Sequence, residues 1–514
     1  MDIHATLTEA AANHAQGRLD EAESGYRSVI AFDPTVADSF HLLGMVLFQK
    51  KNLTEAAQLI FQATELNPQN PSFFQNLAIV YNEMEFYDQA CQALLKAKQL
   101  DPDNVSIIVQ LAHTNRRLGE YEIASSHYNA VLEIEPDNTE ALAMLGITYE
   151  HLGDLNAAEP LYRQSVSINE RPDTLFNLGN ILKDRHDTDE AISCYSRAIL
   201  NKPDFAEAHV HLAYALLAKG DYPSAWEEYE WRWKVPVFGN RQFPSPRWEG
   251  QSLEGKTLLI HAEQGFGDTL QFCRLIKDVP RQSTQIIFEC QPALVRLLER
   301  VGYIDKVIPQ GEVLPQHDYN LPLLSLPRRL ELRPQTIPNT FPYLDADPAE
   351  TSRWRDKLQK PGLNLGVVWQ GTAEKRNTAA RACSLEDIKQ LFQIPGTNWY
   401  SLQKEIPVTD RPLPEALTDL SAELSDFAAT AAIISSLDLV VSIDTGVAHL
   451  VSALGKPVMV LLAASADWRW VEQDNKCLWY PNAHLFRQKD AENWTEPVNT
   501  IAEQITALAK TSQP

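Results

Sequence analysis

A glycine-rich turn that ends in an acid is the first stretch whose residues can do chemistry. It comprises Gln264, Gly265, Phe266, Gly267 and Asp268, and it lies between an apolar run at 256–260 and residues spaced as on a helix. Glycines let a ligand approach the backbone, and a helix start presents N–H groups to it. We predict an active-site loop lined by Gln264, Gly265 and Gly267, with the Asp268 carboxylate at its mouth.

A second turn of the same kind follows an apolar run at 439–443. Its residues are Asp444, Thr445, Gly446, Val447, Ala448 and His449. Backbone N–H groups at such a helix start suit a diphosphate, and Asp444 can accept hydrogen bonds from sugar or ribose hydroxyls. In the alternative, Asp444 and Thr445 only cap the helix and His449 is a packed side chain. Because two such turns occur together, we predict a ligand site.

Both turns lie in a C-terminal half where short apolar runs alternate with helical patterns, which is typical of parallel sheets. One series of runs begins at Thr257, and a second begins at Leu363 after a proline-rich passage. We predict two α/β, Rossmann-like domains that face a cleft, at 256–348 and 349–514. Ligands bind such folds at the carboxyl ends of the strands, where both turns fall.

The N-terminal half repeats every 34 residues. Prolines mark the period at Pro34, Pro68, Pro102 and Pro136, and most units carry a leucine followed by glycine or alanine. The small residue lets two helices approach closely, and the proline ends the second helix. The pattern resembles the tetratricopeptide repeat in about seven copies. It predicts an all-α superhelix at 1–238. This superhelix either offers a groove to an extended peptide or protein or serves as a scaffold.

The segment that joins the halves is rich in aromatic residues and proline. A flexible linker would be polar and rich in glycine or serine. Large aromatic side chains favour burial instead, and this segment contains Trp231, Trp233, Phe238, Phe243 and Trp248. We therefore predict that the segment from Trp226 to Trp248 makes a rigid junction, and in the division into domains we assign 239–255 to the junction.

Composition narrows the classes of partner. The formal net charge is -23, from 45 Lys and Arg against 68 Asp and Glu, which opposes binding to nucleic acid and anionic membranes. The six cysteines lack metal-ligand spacing, which suits a reducing compartment. The N-terminus lacks signal-peptide features, and charged residues interrupt the most apolar tract. We expect a cytoplasmic protein without integral membrane contact.

Several segments together resemble one enzyme family, the bacterial ADP-heptose glycosyltransferases (heptosyltransferases, glycosyltransferase family 9). The similarity covers about residues 256 to 490, and it is carried by Gly267-Asp268, Val368-Trp369-Gln370-Gly371, Asp444 to His449, and Ala453 to Pro457. With its repeats, the chain also resembles bacterial tetratricopeptide-repeat glycosyltransferases and, in architecture, the O-GlcNAc transferases. The resemblance implies a GT-B fold, Asp268 as general base and a nucleotide-sugar site at the Asp444 turn.

The resemblance further implies a basic residue after the first strand of the second domain, where Lys375, Arg376 and Arg381 stand beyond Gly371. Glycosyl transfer needs a base at the acceptor hydroxyl and positive or N–H groups on the departing diphosphate. Asp268 can be the base, which makes its loop and the domain at 256–348 the acceptor side. Arg376 or Arg381 can meet the diphosphate in the nucleotide-sugar domain at 349–514. No pair of aspartates marks a metal site, so we expect no metal and no cofactor beyond the nucleotide sugar. The expected acceptor is a protein or peptide held by the repeats.

Two other functions stay open. A dinucleotide oxidoreductase is suggested by the glycines at 265 and 267 and by Glu289 at the end of the next strand, but Leu270 at the third glycine position opposes it. The second alternative is a non-catalytic adaptor with a degenerate glycosyltransferase fold. The segment Asp467-Trp-Arg-Trp470 is open as well, either as an aromatic wall with a phosphate-facing Arg469 or as a buried plug.

Overall fold

The structure is a computed structural model that describes residues 1–236, 239, 241–371, 383–464, 467–473, 476–489 and 493–511. The chain divides into two compact units: Met1–Ile181 with Leu200–Lys202, and Leu182–Ile199 with Pro203–Pro514. The four-part division made from the sequence remains a proposal beside this one. No helix in the described ranges is long and apolar enough to cross a membrane.

Fourteen helices occupy residues 3–229, all of which are described, and they form seven hairpins. Their bounds are α1 Ile3–Ala15, α2 Leu19–Phe32, α3 Ala37–Gln49, α4 Leu53–Leu66, α5 Pro71–Glu83, α6 Tyr87–Leu100, α7 Val105–Leu118, α8 Tyr121–Ile134, α9 Thr139–His151, α10 Leu155–Ile168, α11 Pro172–Asp184, α12 Thr188–Asn201, α13 Ala206–Lys219 and α14 Tyr222–Tyr229. The predicted repeat array is confirmed.

The small residue of the second unit, Gly44, has the predicted purpose. A Cβ atom added at Gly44 would lie 2.4 Å from Ile60 Cγ1 and 3.0 Å from the Ala56 carbonyl oxygen. Helices α3 and α4 therefore touch where only glycine fits. The predicted stop also holds, because α2 ends at Phe32 and Pro34 follows it.

Two parallel sheets follow in the second unit. The first has the order β3-β2-β1-β4, and the second has the order β7-β6-β5-β8-β9-β12. Their strands are β1 Thr257–His261, β2 Gln285–Cys290, β3 Lys306–Pro309, β4 Tyr319–Pro322, β5 Leu363–Val368, β6 Thr397–Ser401, β7 Leu417–Asp419, β8 Leu439–Ile443, β9 Val458–Leu462 and β12 Ala483–Arg487; β10 Glu472–Gln473 and β11 Lys476–Cys477 form a small hairpin. Helices α15 Phe266–Phe272, α16 Val295–Leu298, α17 Leu326–Arg329, α18 Pro348–Lys357, α19 Leu385–Ile388, α20 Phe427–Ser435, α21 Gly446–Ala453 and α22 Thr495–Thr511 accompany them.

The strand orders confirm the predicted α/β class. Numbered within itself, the second sheet reads 3-2-1-4-5-6, which is the Rossmann order, and the first reads 3-2-1-4. The order reverses beside β1 in the first sheet and beside β5 in the second. Open sheets of this type bind ligands outside the carboxyl ends of the strands at that reversal.

The last repeat packs against the sheets within the second unit. Trp226 Nε1 donates to the Leu332 carbonyl oxygen at 3.1 Å, and Trp479 Nε1 donates to Tyr222 Oη at 2.9 Å. Arg232, fully buried, forms an ion pair with Glu263 just after β1. These contacts hold the last repeat against the α/β part of the second unit, and the rigid junction at 239–255 stays a prediction.

The junction aromatics differ in burial. Trp248 is buried as predicted, whereas Trp231, Trp233 and Phe243 are only half-buried. Phe243 stacks on the His261 ring, with 4.3 Å between the ring centroids. Phe238 lies outside the described residues. The half-buried Phe243 ring therefore covers the polar His261 ring at the end of β1.

Candidate functional site

The glycine-rich loop after β1 leads directly into α15. Gly265 is the N-cap residue, and its backbone N–H donates to Asp268 Oδ2 at 3.1 Å. The side chain of Asp268 is 17% exposed. Gln264 Nε2 donates to the hydroxyl of Tyr229, from the last repeat, at 2.7 Å. The loop is thus fixed from within by Asp268 and from outside by the repeat.

Asp268 also carries an ion pair that the sequence analysis did not find. Arg469 Nη2 donates to Asp268 Oδ1 at 2.5 Å, and Arg469 Nη1 donates to Asp467 Oδ1 at 2.8 Å. Burial acts to lower the pKa of Arg469, but the charges of Asp268 and Asp467 outweigh it and hold that pKa well above its usual value. The guanidinium therefore stays charged.

The second turn follows β8 and begins α21. Thr445 is the N-cap residue in an extended conformation, but its side chain makes no capping hydrogen bond. Its hydroxyl lies 3.0 Å from that of Ser442 instead. The ordinary-cap alternative therefore fails for the Thr445 side chain. The first-turn N–H groups of α21 have no carbonyl acceptor within the helix, which is the property that suits an anion.

Asp444 precedes this N-cap, and its side chain is 18% exposed. Trp470 Nε1 donates to Asp444 Oδ1 at 2.8 Å. Of the two interpretations left open for the Asp467-Trp-Arg-Trp470 segment, the structure shows the buried plug, and a phosphate-facing Arg469 stays a prediction. Trp468 and Trp470 are buried plug residues, and Arg469 between them lies against carboxylates.

His449 is a packed residue, as the second alternative proposed. It is 4% exposed, its Nδ1 lies 2.8 Å from Tyr480 Oη, and its Nε2 lies 3.9 Å from Asp444 Oδ1. Burial, helped by the charge of Arg469, lowers the pKa of His449 to about 3. The ring is therefore neutral near pH 7.

The two predicted turns pack against each other. A Cβ atom added at Gly267 would lie 2.7 Å from His449 Cδ2. One added at Gly446 would lie 3.3 Å from Phe266 Cβ and 3.7 Å from the Gly267 nitrogen. The structure thus brings together the helix starts of α15 and α21, which come from different sheets. The sequence showed the glycines but not their partners.

Of the other predicted donor-site residues, Val447 lies within the second turn itself, whereas Gly371 is not joined to this cluster by a described contact. Gly371 follows β5 and is exposed, with no atom within 4 Å of an added Cβ. Val447 is half-buried against the apolar core. Arg376 and Arg381 lie outside the described residues. Their role therefore stays a prediction.

Arg469 and Trp470 belong to the segment Asp467-Trp-Arg-Trp470, whose position in the sequence already pointed to the ligand edge. They follow β9, a fully buried strand, and the carboxyl ends of such strands are where ligands bind. An arginine flanked by two tryptophans and preceded by an aspartate at that edge is itself a signal. Its specific partners were not predictable, because Asp268 lies 201 positions away.

Family models match segments in both halves of the chain. Residues 409–495 match the model of glycosyltransferase family 9 (heptosyltransferase). Tetratricopeptide repeat models match residues 7–71 and 176–230, 71–104, and 103–171. The family 9 match includes Asp444 and Arg469.

A curated relative, Protein FlbA from Caulobacter vibrioides, is 26% identical over 340 residues, which is 60% of this chain and 56% of that protein. This chain therefore spans little more than half the length of that relative. Among solved structures, the MamA protein is 18% identical with a TM-score of 0.32, covering 33% of this chain and 92% of its own. A tetratricopeptide repeat protein from Parabacteroides merdae is 15% identical with a TM-score of 0.38, covering 47% and 94%.

Proposed function

The chain is a tetratricopeptide-repeat protein with a region like glycosyltransferase family 9, and from this premise we propose that it transfers a sugar from a nucleotide-sugar donor to an acceptor. The acceptor is a protein or peptide presented by the repeats. One observation carries the proposal: two turns, each following the carboxyl end of a strand and each carrying an aspartate, lie in contact through Gly267 and His449. That edge is where open sheets bind ligands.

In the proposed reaction, Asp268 is the general base and takes the proton of the acceptor hydroxyl, which contributes roughly 10²–10⁴-fold to the rate. The donor diphosphate lies at the start of α21, where the uncapped N–H groups of Gly446 and its neighbours meet its charge. Asp444 accepts hydrogen bonds from the donor's hydroxyls. Arg376 or Arg381, beyond Gly371, neutralises the diphosphate, and no metal or further cofactor takes part.

The oxidoreductase alternative loses support from Glu289. This carboxylate would bind a ribose in a dinucleotide site, but its side chain is fully buried and Arg241 holds both of its oxygens. The adaptor alternative gains one observation, because both oxygens of Asp268 are engaged in the protein. It therefore remains the second candidate.

The test is a thermal-stability screen with UDP-, GDP-, ADP- and CMP-sugars. A donor at about 100 times its Kd raises the free energy of unfolding by about 2.7 kcal/mol. We expect at least one nucleotide sugar to stabilise the wild type but not Asp444→Ala. Asp444→Asn keeps an acceptor for Trp470 and separates donor binding from loss of that bond. The exposed Asp345→Ala is the matched control.

If no nucleotide sugar stabilises the wild type while a peptide that binds the repeats does, the adaptor function replaces the enzyme. Stabilisation by NAD alone would favour the oxidoreductase. With the donor identified, Asp268→Asn is expected to bind it but to release little nucleotide in a turnover assay. Undiminished turnover would remove Asp268 from the role of base.

A further inference from the structure

The two residues Arg469 and Trp470 connect both aspartates of the candidate site. Arg469 binds Asp268 from the first sheet, and Trp470 binds Asp444 beside the second. They are adjacent in the chain, so a movement of one backbone segment changes the surroundings of both aspartates together. The segment lies close to the proposed position of the donor, since Asp444 immediately precedes the start of α21.

Arg469 has donors to spare, whereas Asp268 has both oxygens in use. A guanidinium carries five N–H donors. Those of Nη1 and Nη2 reach Asp467 and Asp268, but Nε has no partner among the described residues although the residue is only 9% exposed. The oxygens of Asp268 accept from Arg469 and from the Gly265 N–H. The carboxylate proposed as the base is therefore already paired with a cation.

We propose that Arg469 is a donor-binding residue that exchanges Asp268 for the diphosphate of the nucleotide sugar, so that donor binding releases the base. This inference rests on the proposed function and adds an order of events to it, in which the donor binds first and the base is then released. A planar guanidinium suits carboxylates and phosphates equally well, because both offer two oxygens to its fork. The carboxylate and the diphosphate are therefore alternative partners of one cation.

The exchange fits a balanced reaction. The acceptor oxygen forms a bond to the anomeric carbon of the sugar while its proton passes to the released carboxylate of Asp268. The bond from that carbon to the diphosphate oxygen breaks, and its electron pair leaves with the diphosphate. Arg469 then lies against the oxygen on which negative charge develops, where a fixed cation is most effective.

If Asp268 and the diphosphate compete for Arg469, removing the charge of Asp268 changes diphosphate affinity in the direction opposite to the usual loss. Where a binding group is held by an internal partner, the apparent affinity falls by the fraction of time that it is unavailable. Removing the charge of Asp268 should therefore strengthen diphosphate binding, by about threefold to tenfold. If Arg469 only stabilises the fold, removing the charge of Asp268 gives no gain in diphosphate affinity. The Asp268→Asn side chain can still accept from the Gly265 N–H, so the loop keeps its cap.

The experiment measures binding of UDP, GDP and ADP, and of the corresponding nucleosides, by calorimetry. We expect Arg469→Met to weaken diphosphate binding about tenfold to a hundredfold and to leave nucleoside binding unchanged. Arg469→Lys should recover part of the loss, because it keeps the charge without the fork. Unchanged nucleoside binding shows that the variants are folded.

The decisive comparison is Asp268→Asn with and without Arg469. The exchange predicts a gain in diphosphate affinity in the wild-type background and none in the Arg469→Met background. Equal gains in both backgrounds would mean a general effect of charge and would overturn the exchange, as would an unaltered affinity in Arg469→Met. Those results leave the proposed function intact, whereas a wild type that binds none of the diphosphates and is stabilised by no nucleotide sugar overturns both.

Discussion

Substituting Gly267 by alanine tests whether the two turns are in contact as described. Gly267 is the second residue of α15, and its backbone does not require glycine, since its φ is not positive. By helix propensity alone, alanine would stabilise this position by up to about 1 kcal/mol. Any destabilisation must therefore come from the space that the new methyl group enters.

That space belongs to His449. The added Cβ would lie 2.7 Å from Cδ2 and 3.1 Å from Nε2 of the ring. The ring cannot easily move away, because Tyr480 holds Nδ1 at 2.8 Å and Trp470 packs on it at 4.9 Å between centroids. Overpacking of this kind costs about 1–3 kcal/mol. After the helix-propensity gain, we expect a net loss of about 1–2 kcal/mol in the free energy of unfolding.

Tryptophan fluorescence during urea unfolding is a suitable assay. All eleven tryptophans lie between positions 226 and 494, so the signal reports the second compact unit alone. Gly302→Ala is the matched control, since no atom lies within 4 Å of its added Cβ and its φ is not positive. The control should be neutral or slightly stabilised through the unfolded state.

A Gly267→Ala protein at least as stable as Gly302→Ala would refute the contact between the turns. A second comparison isolates the partner. In an His449→Ala background the ring is gone, so Gly267→Ala should cost nothing there. A cost that persists without His449 would assign the clash to another neighbour.

Three further outcomes follow from other contacts. Gly44→Ala should destabilise the first unit by about 1–3 kcal/mol through Ile60, measured by the loss of helical circular dichroism in urea. Arg232→Met should cost about 3–5 kcal/mol, because it leaves the buried Glu263 carboxylate unpaired, and tryptophan fluorescence reports it. Because the pKa of His449 is about 3 in the native state against 6.5 ordinarily, the unfolded state binds more protons between these values and stability falls as pH drops below 6.5. Between pH 7 and pH 5, the free energy of unfolding of His449→Gln should therefore fall by about 2 kcal/mol less than that of the wild type. Urea unfolding midpoints at both pH values measure this difference.

Local periodicity explains why the repeat array was predictable. The contact between Gly44 and Ala56 spans 12 positions, and the same pattern recurs in each unit. The central strands were predictable for a similar reason. Strands such as β8 and β9 are buried along their whole length, so they appear as unbroken apolar runs.

The edge strands of the second sheet, β7 and β12, escaped prediction because they are only partly buried. In β7, Leu417 is buried but its two successors are exposed, and β12 has a mixed pattern as well. Neither gives an apolar run. The contacts within the site could not be predicted from the sequence either. The pair between Asp268 and Arg469 depends on how the two sheets pack, and no local sequence pattern encodes that packing.

The boundary between the compact units falls within α11 and α12, ahead of the seventh hairpin, and this has a consequence for modularity. The aromatic residues of the array that contact the α/β part through hydrogen bonds are Tyr222, Trp226 and Tyr229, all in α14. Hairpins before the boundary can therefore be gained, lost or exchanged in evolution without altering those contacts. The seventh cannot, and a fragment that began at residue 239 would leave Trp479 and Phe272 without the side chains that cover them.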